Sequence, residues 1–166
     1  ASISTIKICL ENAEKVVMMG HLGRPKGKNP SLSLKPVAEW LKENLGQEIA
    51  FLSDLGNLRD LSNFKIILLE NLRFNPGEDT CSLEFAKKLA QNSNFYINEA
   101  FAAHHKSAST TVLPTLLPHA AGLRFAKEVL LLGQLRQNSL KPFVAIIGGV
   151  KVEDKIPAIL ALSKIA

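Results

Sequence analysis

Residues 15–24 read KVVMMGHLGR and carry the pattern that decides the fold: a short apolar run ends at glycine and is followed by histidine and arginine. Three later apolar runs lead into basic or glycine-rich clusters in the same way, at residues 71–74, 104–106 and 148–151, the last with Lys155. If these runs are parallel strands, all four clusters emerge at one edge of a sheet, where open α/β sheets bind ligands. Positive side chains and glycine backbone that meet there predict an anionic ligand, with phosphate the simplest.

Strand-like and helix-like segments alternate along the chain. Short apolar runs predict strands at residues 15–19, 49–52, 65–70, 95–98 and 143–147. Helical spacing of apolar residues predicts helices at residues 34–45, 82–91, 122–137 and 151–164, and residues 3–10 fit the body of another helix. This alternation is typical of βαβ units, so we expect an α/β fold with a parallel, doubly wound sheet.

Three of the predicted helices carry further signals. The helix at residues 34–45 has Ser33 as a candidate N-cap and Gly46 at its end. The segment 122–137 is apolar over more than one stripe, so we expect neighbours on two sides of it. The helix at residues 82–91 is expected to bury one apolar face, made of Leu83, Phe85, Ala86, Leu89 and Ala90.

Size and composition describe an ordinary globular chain. Its 166 residues suit one domain or slightly more, and its 46% hydrophobic and 6% aromatic residues predict an aliphatic core. The net charge of +5 favours an anionic partner without singling out nucleic acid. Cys9 and Cys81 have no metal-ligand spacing, so we expect reduced packing residues and a cytoplasmic protein.

The ends of the chain carry no targeting signal. The sequence shows neither a leader segment nor an apolar stretch of about 20 residues, the length that a membrane helix needs, so we expect no membrane partner. It starts without a capping residue, inside what reads as the body of a helix. We therefore expect this chain to be a piece of a longer protein.

The basic clusters suit a phosphate for definite chemical reasons. His21 and Arg24 lie three residues apart in a glycine loop, and the planar guanidinium of an arginine offers phosphate two parallel hydrogen bonds. Arg73 follows a later predicted strand in the same way. For either arginine alone, a solvated side chain is the alternative. The adjacent histidines at 104 and 105 are a weak metal signal, because no carboxylate or cysteine stands at ligand spacing.

A second anion site is predicted near the end of the chain. Gly148 and Gly149 separate an apolar run from a helix, which leaves backbone N–H groups free to bind an anion at the helix N-terminus. Lys151 and Lys155 lie on one face of that helix, and the alternative is two solvated lysines. The segment is neither a Walker A loop nor a GxGxxG dinucleotide motif.

Four stretches together resemble the phosphoglycerate kinase family. They are VVMMGHLGRPKG at residues 16–27, LLENLRFNPGE at 68–78, YINEAF at 96–101 and PFVAIIGGVKVEDKI at 142–156. They stand in that family's order and approximate spacing, and the resemblance covers essentially the whole chain. It implies the glycolytic enzyme that transfers a phosphoryl group between 1,3-bisphosphoglycerate and ADP. It also implies a Rossmann-like three-layer α/β sandwich with a mostly parallel sheet, in two domains that close around the ligands.

The resemblance implies a division of the chain into three parts. Residues 1–118 would be the domain that binds 3-phosphoglycerate, without its first strand. Residues 119–138 would be the interdomain helix about which the domains close. Residues 139–166 would be the first strand and helix of the nucleotide-binding domain.

Individual roles also follow from the resemblance. The substrate, 3-phosphoglycerate or 1,3-bisphosphoglycerate, would be bound by His21, Leu22, Gly23, Arg24, Arg73 and Lys106. ATP or ADP would be bound by Gly148, Gly149, Lys151 and Lys155, and Lys155 would also be catalytic because it lies close to the transferring group. Magnesium would accompany the nucleotide in the complete enzyme, with its protein ligand outside this chain. The resemblance further implies a cytoplasmic monomer with no nucleic-acid or membrane partner.

The chain departs from the family pattern in one basic loop. Residues 104–109 read HHKSAS where the family usually reads AHRAHAS, one residue longer. Lys106 cannot reproduce the two-pronged phosphate binding of the arginine it replaces, which weakens the role implied for it. Glu99 replaces the family's usual aspartate and keeps the charge.

Activity of the chain alone is not expected. The family's first strand, most of its nucleotide site and its magnesium-binding carboxylate have no counterpart in these 166 residues. Phosphoryl transfer depends almost entirely on positioning and on electrostatic stabilisation, so we expect the chain by itself to be inactive.

Two other functional classes stay open. A non-catalytic anion-binding domain would bind phosphate without preference for the glycerate. A nucleic-acid-binding module would need basic residues along a groove with aromatic stacking platforms, but only Trp40, Tyr96 and eight Phe residues are present. Neither class accounts for four motifs in series.

Overall fold

The computed structural model of the protein describes residues 2–55, 63–91, 93–103, 105–137, 140–148 and 153–165. Their helices are α1 (Ile3–Asn12), α2 (Lys35–Leu45), α3 (Pro76–Asp79), α4 (Leu83–Ala90), α5 (Leu123–Gln137) and α6 (Ile156–Leu162). Their strands are β1 (Val16–Met18), β2 (Ile49–Leu52), β3 (Ile66–Leu69), β4 (Tyr96–Asn98) and β5 (His119–Ala121). By contacts, the chain divides into two compact units, Ala1–Phe125 and Ala126–Ala166.

The main sheet has three parallel strands in the order β1-β3-β2. Ile66 of β3 pairs with Val16 on one side and with Ile49 on the other. All four residues of β3 are buried, because the central strand of a parallel sheet is covered on both faces. β4 and β5 form a separate parallel pair, with Tyr96 opposite His119.

Helices cover both faces of this sheet. Alternate side chains of β3 point to opposite faces, so Leu68 packs on one side and Ile67 and Leu69 pack on the other. The Leu68 side is covered by Leu34, Ala38 and Leu41 in and beside α2. The opposite side is covered by Phe85, Ala86 and Leu89 of α4, together with Leu113. This layering confirms the predicted α/β fold with a parallel sheet.

The predicted strands at 15–19, 49–52, 65–70 and 95–98 are confirmed to within two residues at each end. The stop of α2 is also confirmed, since Gly46 takes the left-handed conformation with φ of 62°. Ser33 as the N-cap of α2 is wrong by one residue, because Leu34 holds the cap position. The Leu34 N–H donates to the carboxylate of Glu70 at 2.8 Å, so the residue that follows β3 supplies the acceptor.

The strand predicted at residues 143–147 is wrong. The structure gives these residues no strand assignment, and Val144 and Ile146 are 77% and 95% exposed. A strand exists only when a neighbour accepts its backbone hydrogen bonds, and no described strand pairs with this run. Apolar composition alone therefore did not determine its structure.

Two burial predictions are also wrong. No residue of α5 is buried, and Leu130 is 64% exposed, although neighbours were expected on two sides. Leu83 is 49% exposed because it opens α4, ahead of the Phe85, Ala86 and Leu89 positions that pack on the sheet. A helix's composition does not specify which elements will cover it.

Several short elements were not predicted or differ from prediction. Residues 105–118, for which the sequence predicts neither helix nor strand, contain a π-helical turn at Ala108–Val112 and a 3₁₀ turn at Leu113–Thr115. β5 follows directly and was not predicted. The helix expected at 151–164 is a 3₁₀ turn, Glu153–Lys155, followed by α6, while residues 151 and 152 lie outside the described residues.

Over the described part of the chain, no helix combines the length and the apolar character needed to cross a membrane.

Candidate anion-binding site

The predicted site lies where two neighbouring parallel strands end. β1 and β3 pair along the whole of β1, so the segments that follow them leave the sheet side by side. The N–H of Leu72 donates to the carbonyl of Gly20 at 3.0 Å, beyond the ends of both strands. The basic loop after β1 therefore lies directly against the basic turn after β3.

Arg73 is the side chain that connects these two segments. Its Nη1 donates to the Gly23 carbonyl at 2.8 Å, and its Nε donates to Asp79 Oδ1 at 3.2 Å. The side chain is only 12% exposed, so the guanidinium is held in place rather than solvated. A guanidinium has five N–H donors, and these two bonds use two of them. Three donors have no partner among the described residues and remain for an anion.

Asn71 holds the loop of residues 22–32 in its conformation. Its side chain is 2% exposed, and Nδ2 donates to the carbonyls of Leu22 at 2.8 Å and Leu32 at 2.9 Å. Its Oδ1 accepts from the Arg73 N–H at 3.1 Å. One buried amide therefore closes the loop and orients the arginine turn.

Gly23 has a backbone conformation that requires glycine. Its φ is +65°, in the left-handed region, and a Cβ there would lie 3.1 Å from two methyl carbons of Leu32. Its carbonyl is the acceptor for Arg73. This glycine therefore serves both the loop geometry and the arginine contact.

His21 is placed among charged neighbours. Burial lowers the pKa of its imidazole, and the positive charges of Arg73 and His105 lower it further, while Glu78 and Asp79 partly oppose the shift. The ring is therefore neutral at pH 7, and an anion bound beside it would favour its protonation. The bonds from Leu72 N–H to the Gly20 carbonyl and from Arg73 Nη1 to the Gly23 carbonyl place His21 next to the arginine turn.

Apart from Arg73, the predicted residues of this site are exposed, His21 included. Leu22 is 45% exposed and contributes its carbonyl to Asn71. Arg24 and Lys106 are both exposed. His104 lies outside the described residues. Across the described ranges, no three His, Cys, Asp or Glu side chains converge to hold a metal ion.

The predicted nucleotide residues belong to the second unit. Gly148 is exposed, and Lys155 ends the 3₁₀ turn that leads into α6 and occupies the cap position of that helix. Gly149 and Lys151 lie outside the described residues.

The sequence did not indicate the buried polar residues that hold the segments of this site in place. The sequence predicts no role for Asn71, Glu70 or Glu78, yet Asn71 and Glu78 are 2% and 1% exposed. One local signal was available, because an asparagine directly after a strand often bonds the backbone two residues on, as Asn71 does with Arg73.

The fold and this site define an α/β protein with basic residues gathered at the carboxyl ends of parallel strands. The profile of the phosphoglycerate kinase family matches residues 1–166. The chain therefore belongs to the phosphoglycerate kinase family.

Individual relatives agree with this membership. The phosphoglycerate kinase of Borreliella burgdorferi is 42% identical over 98% of this chain, and that of Bdellovibrio bacteriovorus is 42% identical over 96%. The structure of phosphoglycerate kinase from Coxiella burnetii superposes with a TM-score of 0.80 at 33% identity, over 93% of this chain and 40% of that one. The Pyrococcus horikoshii enzyme gives 0.77 at 28% identity, over 91% and 40%. This chain spans 43% of the length of the Borreliella relative and 42% of the Bdellovibrio one.

Proposed function

We propose that the protein carrying this chain is a phosphoglycerate kinase in activity as well as in family. It transfers a phosphoryl group reversibly between 1,3-bisphosphoglycerate and ADP, a reaction of glycolysis. The observation that carries the proposal is the held guanidinium of Arg73, with three spare donors, beside His21 at the carboxyl ends of β1 and β3. That arrangement suits an anionic ligand with more than one acceptor oxygen.

The substrate half of the reaction is assigned to the first unit. Arg73 and Arg24 bind phosphate or carboxylate oxygens, and His21 donates one hydrogen bond. Leu22 and Gly23 supply the backbone of the loop that brings these groups together. Lys106 adds positive charge without two-pronged geometry.

The nucleotide half is assigned to Gly148, Gly149, Lys151 and Lys155. Glycine backbone and lysine side chains are suited to the phosphates of ATP or ADP. Lys155 is the proposed catalytic residue, which neutralises negative charge on the transferring group. Magnesium would supply further charge neutralisation to the nucleotide, but the described residues offer no ligand cluster for it and we route no step through it.

In the direction that forms ATP, the chemistry needs no general base. A terminal phosphate oxygen of ADP attacks the phosphorus of the acyl phosphate, and the bond from phosphorus to the carboxyl oxygen breaks. The attacking oxygen is already anionic, and the leaving group is a carboxylate. The protein's work is then positioning and charge stabilisation.

The division of the chain belongs to the same proposal. Residues 1–118 form the substrate domain, 119–138 the interdomain segment with helix α5, and 139–166 the start of the nucleotide domain. The working protein is proposed to be a cytoplasmic monomer, and the 166 residues alone are expected to be inactive.

A calorimetric titration with 3-phosphoglycerate tests the substrate half, with inorganic phosphate as the competing anion. Charge-assisted hydrogen bonds contribute roughly 1.5–3 kcal/mol, so Arg73→Ala should weaken binding of the glycerate by at least about tenfold. Lys42→Ala removes one positive charge from the last turn of α2, the end of that helix that leads into β2 rather than the carboxyl ends of the strands, and should leave binding unchanged. Equal weak binding of both anions, or equal effects of the two substitutions, would contradict the assignment.

A further inference from the structure

Glu78 is a carboxylate that the proposed function does not use. It lies in α3 and is 1% exposed, so it cannot touch a ligand in solution. Its two oxygens accept from Ser109, at 2.6 Å from the hydroxyl and 3.1 Å from the backbone N–H. Burying a carboxylate against neutral donors is costly, so these two bonds have to offset a substantial desolvation penalty.

Ser109 is joined to the basic loop through the next residue of the chain, Thr110. The Thr110 hydroxyl accepts from the Ser107 hydroxyl at 2.9 Å, while the Ser109 hydroxyl gives its proton to Glu78 and only contacts the Ser107 hydroxyl at 3.3 Å. The Thr110 hydroxyl donates to the backbone carbonyl of His105 at 3.0 Å. Ser109 and Thr110 lie in one π-helical turn and Ser107 is its N-cap; such turns are often found beside functional sites. A displacement of Ser109 would therefore be passed to His105.

The helix α3 that carries Glu78 is bonded to more than one segment of the basic face. The two oxygens of Glu78 accept from Ser109, which follows the His105–Lys106 loop. Asp79, the next residue, is bonded to Arg73. The short helix α3 therefore contacts two of the three segments that carry the proposed substrate residues.

We propose that Glu78 is a positioning residue, whose buried carboxylate clamps Ser109 and so holds the His105–Lys106 loop beside His21 and Arg73. This inference rests on the proposed function for its substrate, 3-phosphoglycerate, but the clamp itself does not. Lys106 lacks the rigid fork of an arginine, so its position depends on the backbone of this loop.

Glu78→Gln, Ser109→Ala and the double variant test the clamp in the protein that carries this chain. Glu84→Gln is the matched control, since it removes one negative charge from an exposed position of the neighbouring helix α4. Hydrogen exchange of the Thr110 and Thr111 amides, which donate to Ser107, reports the π turn without any ligand. The ring resonances of His105 report the loop, and titration with 3-phosphoglycerate reports binding.

Each clamp substitution is expected to speed exchange at Thr110 and Thr111 by about tenfold, because a bond to a charged acceptor is lost or weakened. It should also shift the His105 resonances and weaken binding of 3-phosphoglycerate by about tenfold. The double variant should be no worse than the poorer single variant, since both remove one interaction. Glu84→Gln should change none of these.

Two failures are distinguishable. If the unsubstituted protein shows no preference for 3-phosphoglycerate over phosphate, the proposed function fails, and the exchange and His105 measurements still decide the clamp. If the amide exchange rates and the His105 resonances are the same in Glu78→Gln as in the control Glu84→Gln, the proposed clamp is contradicted. If the exchange rates and the His105 resonances change in Glu78→Gln while the affinity for 3-phosphoglycerate does not, Glu78 has only a structural role and the positioning role is overturned.

Discussion

Replacing Asn71 with alanine should be among the most damaging single changes to this fold. The substitution removes two donated bonds, to the carbonyls of Leu22 and Leu32, and one accepted bond from Arg73 N–H. A typical hydrogen bond contributes about 1 kcal/mol net, and a buried group left without a partner costs more, about 1–3 kcal/mol. Leu22 is exposed, so water can reach its carbonyl and reduce that cost. We therefore expect a loss of about 3 kcal/mol in the free energy of unfolding.

Urea unfolding followed by circular dichroism measures this loss, with Asn44→Ala as the control. Asn44 also donates its Nδ2 to a backbone carbonyl, that of Trp40 at 2.8 Å, but on the exposed surface of α2. The control should lie within about 0.5 kcal/mol of the unsubstituted protein. If Asn71→Ala also falls within that margin, the reasoning that this amide closes the loop is refuted. Limited proteolysis should in addition cut residues 22–32 faster in Asn71→Ala than in the control.

Two other predictions concern the start of α5 and a buried tyrosine. Gly122→Ala should destabilise the protein by about 1–3 kcal/mol, because the added Cβ would collide with the Glu99 carboxylate, which accepts from the N-terminus of α5. Gly133→Ala lies within α5, where a Cβ meets no other atom, and should stabilise the protein by about 0.5–1 kcal/mol. Thermal unfolding of both checks this, and a harmless Gly122→Ala would contradict the packing described. Tyr96 is the only tyrosine, and burial followed by the charge of Glu78 raises its pKa from 10 to about 12. The contribution of Tyr96 to stability is full below pH 10 and is lost as the pH rises towards 12, so tyrosinate absorbance of the folded protein should appear near pH 12. A titration near pH 10 in the folded protein would refute this.

Local sequence was sufficient for most of the first unit's elements. The run at residues 66–69 is apolar at every position, which suits a central parallel strand, and it is buried on both faces. Gly46 ends α2 as predicted because only glycine enters the left-handed conformation without cost. The basic clusters after β1 and β3 were predicted to meet, and Arg73 does contact Gly23.

The predictions that failed all depended on partners distant in sequence. The N-terminus of α2 is capped by Glu70, 36 residues beyond Leu34, so no local pattern could place the cap. The run at residues 143–147 is apolar enough for a strand, but strand structure also needs a neighbouring ladder. The burial expected for α5 likewise depended on which other elements pack against it, and the composition of the helix does not determine this.

By itself, the sequence determined the alternation of strands and helices, the parallel sheet and the basic clusters at its edge, because these follow from periodicities and turn residues that act over a few positions. Only the tertiary structure decided which polar side chains hold that edge together. Asn71 reaches Leu22 across 49 residues, and Glu78 reaches Ser109 across 31. The sequence does not show whether a polar residue after a strand bonds to water or to a buried carbonyl. Only folding brings that carbonyl within hydrogen-bond distance.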